Sequence, residues 1–215
     1  MKRVILLASI IALCGLTQAV NVSWTDVKSD SYGNKGEVTL STPLSQAAFS
    51  LKMVATFNQV PVTISGSWWP ALMSVSSSNA TQSNITVNLT DADGFRIDTK
   101  RGGTATTQTT AKSNVALATG MHTFVLSFNG TTLQLAYDGV EIARAENFNL
   151  FYAPNLVSWG QQAGYPNSTY LDNGDQFQYT INSFQYTNVA VLPEPTALAL
   201  LALGVAGLAL RRRVR

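Results

Sequence analysis

The stretch HTFVLSFNGTTLQLAYDGVEIARAE, residues 122–146, leaves few ways to fold. Phe124, Leu126 and Phe128 fall two apart, so an extended chain places them on one face. Asn129-Gly130 follows, and both residue types tolerate the positive φ that a tight hairpin turn demands. Leu133, Leu135 and Tyr137 form the return strand, with the same period. Asp138-Gly139 turns the chain again, and Val140 to Ala145 reads as a third strand. The segment is an antiparallel meander, and a sheet of this kind is stable only when its apolar face is covered.

Period two recurs along the chain. Phe49, Leu51, Met53, Ala55 and Phe57 make one clearly apolar face. Ile85, Val87 and Leu89 alternate with Asn84, Thr86 and Asn88. Phe95 and Ile97 alternate with Arg96 and Asp98, with Asp93-Gly94 as the turn between these two strands. Phe177, Tyr179 and Ile181 alternate near the end, but Phe184 and Tyr186 have the other parity. A bulge near Asn182-Ser183 accounts for the slip. Helical signals are almost absent before residue 191. Many short strands with Gly, Asn and Asp turns predict an all-β, two-sheet antiparallel sandwich over about residues 20–190.

The two ends read differently. Lys2-Arg3, the apolar run Val4 to Leu16, and Thr17-Gln18-Ala19 have the three-part layout of a secretory signal peptide spanning residues 1–19. Cys14, the single cysteine, lies inside it, so the exported domain is expected to hold no disulfide. At the other end, Pro193-Glu194-Pro195 precedes an uncharged run, Ala197 to Leu210, and then Arg211, Arg212, Arg213 and Arg215. As a helix, that run is roughly 21 Å long, against about 30 Å for a bilayer core. It is short for a permanent span. The arginines would stay on the cytoplasmic side.

This order of parts resembles the PEP-CTERM proteins. The resemblance covers residues 191–215 and implies a sorting motif carried by Pro193, Glu194, Pro195, Arg211, Arg212 and Arg213, with a single hydrophobic transmembrane helix between. It further implies an exported bacterial protein, held transiently in the inner membrane and processed by an exosortase-type enzyme. The family is linked to exopolysaccharide and biofilm. A lipid-anchor signal of the eukaryotic kind also ends in an apolar tail, but such a tail should not finish in four arginines. The meander, with its strand ending in Tyr137-Asp138-Gly139 and the closing strand near Phe177 to Tyr186, resembles laminin-G/concanavalin A-like jelly rolls. That resemblance implies the fold; the fold itself hosts lectins, adhesion modules and glycanases.

Charge sharpens the partner question. The whole chain carries a formal +2, yet residues 20–190 hold eight Lys and Arg against eleven Asp and Glu, a net −3. The positive charge sits in the two ends, so nucleic acid is not an expected partner. Six Asn-x-Ser/Thr sequons, at Asn21, Asn79, Asn84, Asn88, Asn129 and Asn167, fit chance in a Thr/Asn-rich chain behind a bacterial tail.

No catalytic residue is expected. Retaining glycanases of this fold carry a Glu-x-Asp-x-x-Glu-like cluster, which is absent here. Asp91 and Asp93 have suitable spacing but flank Gly94 in a turn, and Glu141 and Glu146 fall on opposite faces of a regular strand. His122 is the one histidine, which starves zinc sites and Cys/His pairs of ligands; it reads as a half-buried strand-end residue. Candidate sugar-stacking aromatics are Trp68, Trp69, Trp159 and Tyr165, which equally could fill the sandwich. Asp172-Asn173-Gly174-Asp175 offers oxygens of the kind Ca2+ prefers and equally reads as a tight turn; Asp172, Asn173 and Asp175 are its candidate ligands. The expected function is non-enzymatic, surface- or matrix-associated, through polysaccharide binding or adhesion. An atypical glycan hydrolase and a purely structural surface protein are the alternatives.

Overall fold

The structure is a computed structural model and describes residues 22–27, 35–59, 71–77, 84–90, 94–100, 108–160, 163 and 178–191. The strands are β1 (Thr25–Asp26), β2 (Gly36–Thr39), β3 (Phe49–Gln59), β4 (Ala71–Ser76), β5 (Asn84–Thr90) and β6 (Gly94–Lys100). They continue with β7 (Gln108–Ser113), β8 (Gly120–Phe128), β9 (Leu133–Tyr137), β10 (Val140–Ala145), β11 (Leu156–Trp159) and β12 (Gln178–Thr187). They build two six-stranded sheets. Sheet A has the order β1-β12-β3-β8-β9-β10, and sheet B the order β2-β11-β4-β5-β6-β7. All neighbours are antiparallel. Late strands nest beside early ones, which is the winding of the expected jelly-roll sandwich. The expected signal peptide and tail helix lie outside the described residues.

The alternation read from the sequence sets the core. Phe49, Leu51, Met53, Ala55 and Phe57 of β3 point inward, as do Phe124, Leu126 and Phe128 of β8, all at 1% exposure or less. Aromatic contacts tie the two sheets at separate points. Phe95 of sheet B meets Phe124 and Tyr137 of sheet A at 5.7 and 5.5 Å between ring centroids. Trp159 of sheet B stands edge-on to Phe184 of sheet A at 6.1 Å. Each such ring removes some 150–250 Å² of apolar surface from water, so these pairs, with the aliphatic residues around them, are the main attraction between the sheets.

The turns differ in how closely they follow local chemistry. Asp138 and Gly139 have φ of 49° and 80°, the two positive values of a type I′ turn, and β10 begins at Val140 as expected. Asn129-Gly130 does mark a hairpin, but its loop is four residues long. Asn129 Oδ1 accepts from the N–H groups of Thr131 at 3.2 Å and Thr132 at 2.8 Å, and the Asn129 N–H donates to the Thr132 C=O at 3.1 Å, so side chain and main chain close it together. The phase slip in β12 is a register shift between Ile181 and Ser183 opposite β3. Tyr179 and Ile181 before it and Phe184 after it thereby all reach the core. Tyr179 stacks on Phe57 at 5.5 Å, and burial pushes its phenol well above the ordinary tyrosine range.

Candidate functional site

The outer face of sheet B is polar and buried at once. On β4 and β5 the alternate positions are Ser74, Ser76, Asn84, Thr86 and Asn88, while Met73, Val75, Ile85, Val87 and Leu89 fill the core. Strand register joins these polar positions across strands. Glu37, Ser158, Ser74, Thr86 and Asp98 are successive partners from β2 to β6. Ser158 and Ser74 are 0% exposed, Thr86 3% and Asp98 4%. A buried polar group is costly unless bonded, and this face is densely bonded.

Two networks share the face. In the first, Thr86 Oγ1 donates to Asn84 Oδ1 at 2.6 Å and lies 3.0 Å from Ser74 Oγ. Ala163 closes over this part: its N–H donates to Ser74 Oγ at 3.2 Å, and its C=O accepts from Asn84 Nδ2 at 3.1 Å. In the second, the Asp98 carboxylate receives Arg96 Nε at 3.1 Å and Nη2 at 3.0 Å on Oδ1. Asn88 Nδ2 donates to its other oxygen at 2.7 Å. Lys112 is the cross-strand partner of Arg96 and is exposed. The face is thus met by main chain at the Ser74–Asn84 side, while at the Asp98 end Asn88 is buried and Lys112 is exposed. Hydroxyls, amides and one guanidinium-clamped carboxylate are groups that hydrogen-bond neutral or acidic polyols.

The same register bears on hydrolysis. Glu37 and Asp98 are the carboxylates of that row, four strand spacings apart, or about 19 Å at ~4.8 Å per spacing. A retaining pair needs about 5 Å and an inverting pair up to about 9.5 Å. Elsewhere, Glu141 holds Arg144 and Gln134. Asp138 holds His122 Nδ1 at 2.7 Å and the Thr123 N–H at 2.8 Å. His122 is the strand-end residue the sequence implied, wedged beside Tyr137 at 4.9 Å with its side chain 13% exposed.

One expected site residue needs correction. Trp159 is 2% exposed and forms part of the core, so it offers no ring face to a sugar. Its indole also lies over Gly36, where even a Cβ would collide with the ring. Trp159 follows Val157 by two in β11, which puts it on the apolar side. Trp68, Trp69, Tyr165, Asp172, Asn173 and Asp175 lie outside the described residues, as do Asp91, Asp93 and the sorting residues Pro193, Glu194, Pro195, Arg211, Arg212 and Arg213. Among the described residues, no group of three His, Cys, Asp or Glu side chains is placed to hold a metal ion, and no helix is long and apolar enough to cross a membrane. The sequons at Asn84 and Asn88 are buried at 2% and 8%. Sequence reasoning missed Ser74, Thr86, Asn88 and Asp98 as a set. Their signal was the polar half of each alternation, which by itself looks like a solvent face.

No curated protein matches the chain in sequence. Solved structures match in fold. The binding domain of botulinum neurotoxin DC in complex with SialylT aligns at TM-score 0.50 and 11% identity, covering 85% of this chain and 45% of that one. Domain 4 of AbnA, a GH43 extracellular arabinanase from Geobacillus stearothermophilus, in complex with arabinotriose, aligns at TM-score 0.50 and 14% identity, covering 82% and 79%. The carbohydrate-binding module CBM66 from Bacillus subtilis aligns at TM-score 0.41 and 14% identity, covering 67% and 88%. At these identities the likeness to the toxin and arabinanase domains is one of fold. Residues 191–213 match the family described as the PEP-CTERM protein-sorting motif, which implies export and exosortase-type processing. Behind a jelly-roll-like β-sandwich, the chain carries a PEP-CTERM sorting tail.

Proposed function

We propose that this is an exported, surface- or matrix-associated protein that binds glycan without hydrolysing it, and that the outer face of sheet B is the floor of its site. The observation that carries the reading is the continuous polar row Ser158–Ser74–Thr86–Asp98, extended by Asn88 and Arg96. Fixed donors and acceptors of this kind suit sugar hydroxyls, because their geometry is set before the ligand arrives. The exposed Lys112, beside Arg96 at the Asp98 end of the row, favours an acidic or highly hydroxylated polysaccharide, and an exopolysaccharide fits the sorting tail. The toxin domain and the arabinanase domain, solved with SialylT and arabinotriose, support the reading as examples of what this fold can carry. Trp68, Trp69 and Tyr165 are proposed as stacking faces, and Asp172, Asn173 and Asp175 as an optional Ca2+ site. The separation of Glu37 from Asp98 favours binding over a hydrolase. The tail serves transient anchoring in the inner membrane before an exosortase-type enzyme acts.

The test is a glycan array of the full-length chain, with and without Ca2+, repeated for Asn88→Ala. Wild type should bind at least one polysaccharide class, and the variant should lose about tenfold in affinity, the equivalent of about 1.4 kcal/mol. Failure of the folded wild type to bind any glycan sinks the proposal.

A further inference from the structure

The last described residues cross the outer face of sheet A. Asn188 Oδ1 accepts from the Ser45 N–H at 2.8 Å and anchors the approach. The Val189 C=O then accepts from Ser50 Oγ at 2.8 Å. The Val191 N–H donates to the same oxygen at 2.7 Å, and the Val191 C=O accepts from Ser127 Oγ at 2.5 Å. Ser50 and Ser127 are cross-strand partners of β3 and β8, with their hydroxyls 3.0 Å apart, and they are 0% and 1% exposed. Both serines stand on the face of sheet A that a lone sandwich would show to water. The bonds use residues 189 and 191, two apart, as an extended segment does.

The row continues to Gln134 of β9, the partner of Ser127. Gln134 is 2% exposed. Its Nε2 donates to Glu141, but its Oε1 has no hydrogen-bond partner. The serines grip the stem as far as Val191, the first residue of the matched sorting motif.

We propose that Ser50 and Ser127 are a clamp for the stem of the sorting motif, and that the clamp restrains tail processing. The second half rests on the sorting reading of the tail. A processing enzyme must seat an extended piece of chain, and with Val191 pinned no free segment separates the sandwich from the motif. The enzyme acts on the fraction of molecules whose stem has opened, so its apparent affinity falls by that fraction. Opening of such a stem is a local event that leaves the sandwich folded.

Hydrogen exchange of the Val191 amide in the full-length chain reads the clamp directly. The double variant S50A/S127A should exchange about tenfold faster or more, as expected for three lost hydrogen bonds. Val191→Pro removes the donor without touching the sandwich, and should open the stem to limited proteolysis to a similar degree. In cells, S50A/S127A should lose its tail several-fold faster than wild type. A Gly-Ser linker inserted between Val191 and Leu192 should do the same while keeping Val191 protected. Unchanged Val191 exchange in S50A/S127A overturns the clamp. An opened stem with unchanged tail removal, in both the serine and the linker variants, overturns the restraint. If the wild-type tail is never removed, the sorting reading fails and the restraint with it, while Val191 exchange still decides the clamp.

Discussion

The two sheets are alike inside and unlike outside. Each has six strands and gives its apolar side to one core. The outer face of sheet A is half open: Lys52, Val54 and Thr56 alternate with core residues at intermediate exposure, and Met121 is 68% exposed. Its buried positions include Ser50 and Ser127, under the stem, with Thr187 and Gln134 beside them. The outer face of sheet B is hydrophilic and nearly sealed, with Ser74, Thr86, Asn84 and Asp98 all at 4% exposure or less. A polar strand face is therefore not the same thing as a solvated one. Where it is covered, each group must find a partner, and the partners fix its geometry. This gives sheet B a rigid polar floor, and sheet A an ordinary wet face with a latch.

Three substitutions test that contrast. The largest effect is expected for Trp159→Ala, which empties the inner side of sheet B. It should cost about 3–5 kcal/mol, read as a lower urea midpoint, with the glycan affinity of the folded fraction unchanged. A selective loss of affinity would return Trp159 to the binding site. Next comes Asp98→Ala on the outer side. It removes the acceptor of Arg96 and Asn88 and should cost about 2 kcal/mol, together with glycan binding. A stable Asp98→Ala that binds normally would separate the polar floor from function. The smallest effect belongs to sheet A. Lys52 Nζ lies 4.6 Å from the Trp24 ring centroid at a partly exposed site, and Lys52→Ala should cost about 0.5 kcal/mol with no change in glycan binding. A loss of binding there would move the site to the other face.

Much of the fold was legible because its causes are local. The β8–β10 meander needs only alternation and residues that accept positive φ, and Asp138-Gly139 supplies both φ values in two adjacent positions. The bulge in β12 was legible as a parity change between Ile181 and Phe184. The Asn129-Gly130 hairpin was placed correctly, but its four-residue loop was not, since the Asn129 side chain adds bonds to the main-chain closure that the sequence cannot weigh. Trp159 shows a different limit. The sequence allowed it either a sugar-stacking or a core position, and pairing of β11 between β2 and β4, with Val157 on the same side, decided for the core.

The sequence by itself determined that this chain is a strand-built sandwich and that it ends in a sorting signal, because period-two patterning and a terminal motif are both read along the chain. Only the tertiary structure decided that Ser158, Ser74, Thr86 and Asp98 form one row, and that Ser50 and Ser127 face each other beneath Val191. Those residues lie on strands far apart in sequence. Register, which is fixed by the packing of the opposite, apolar face, brings them together.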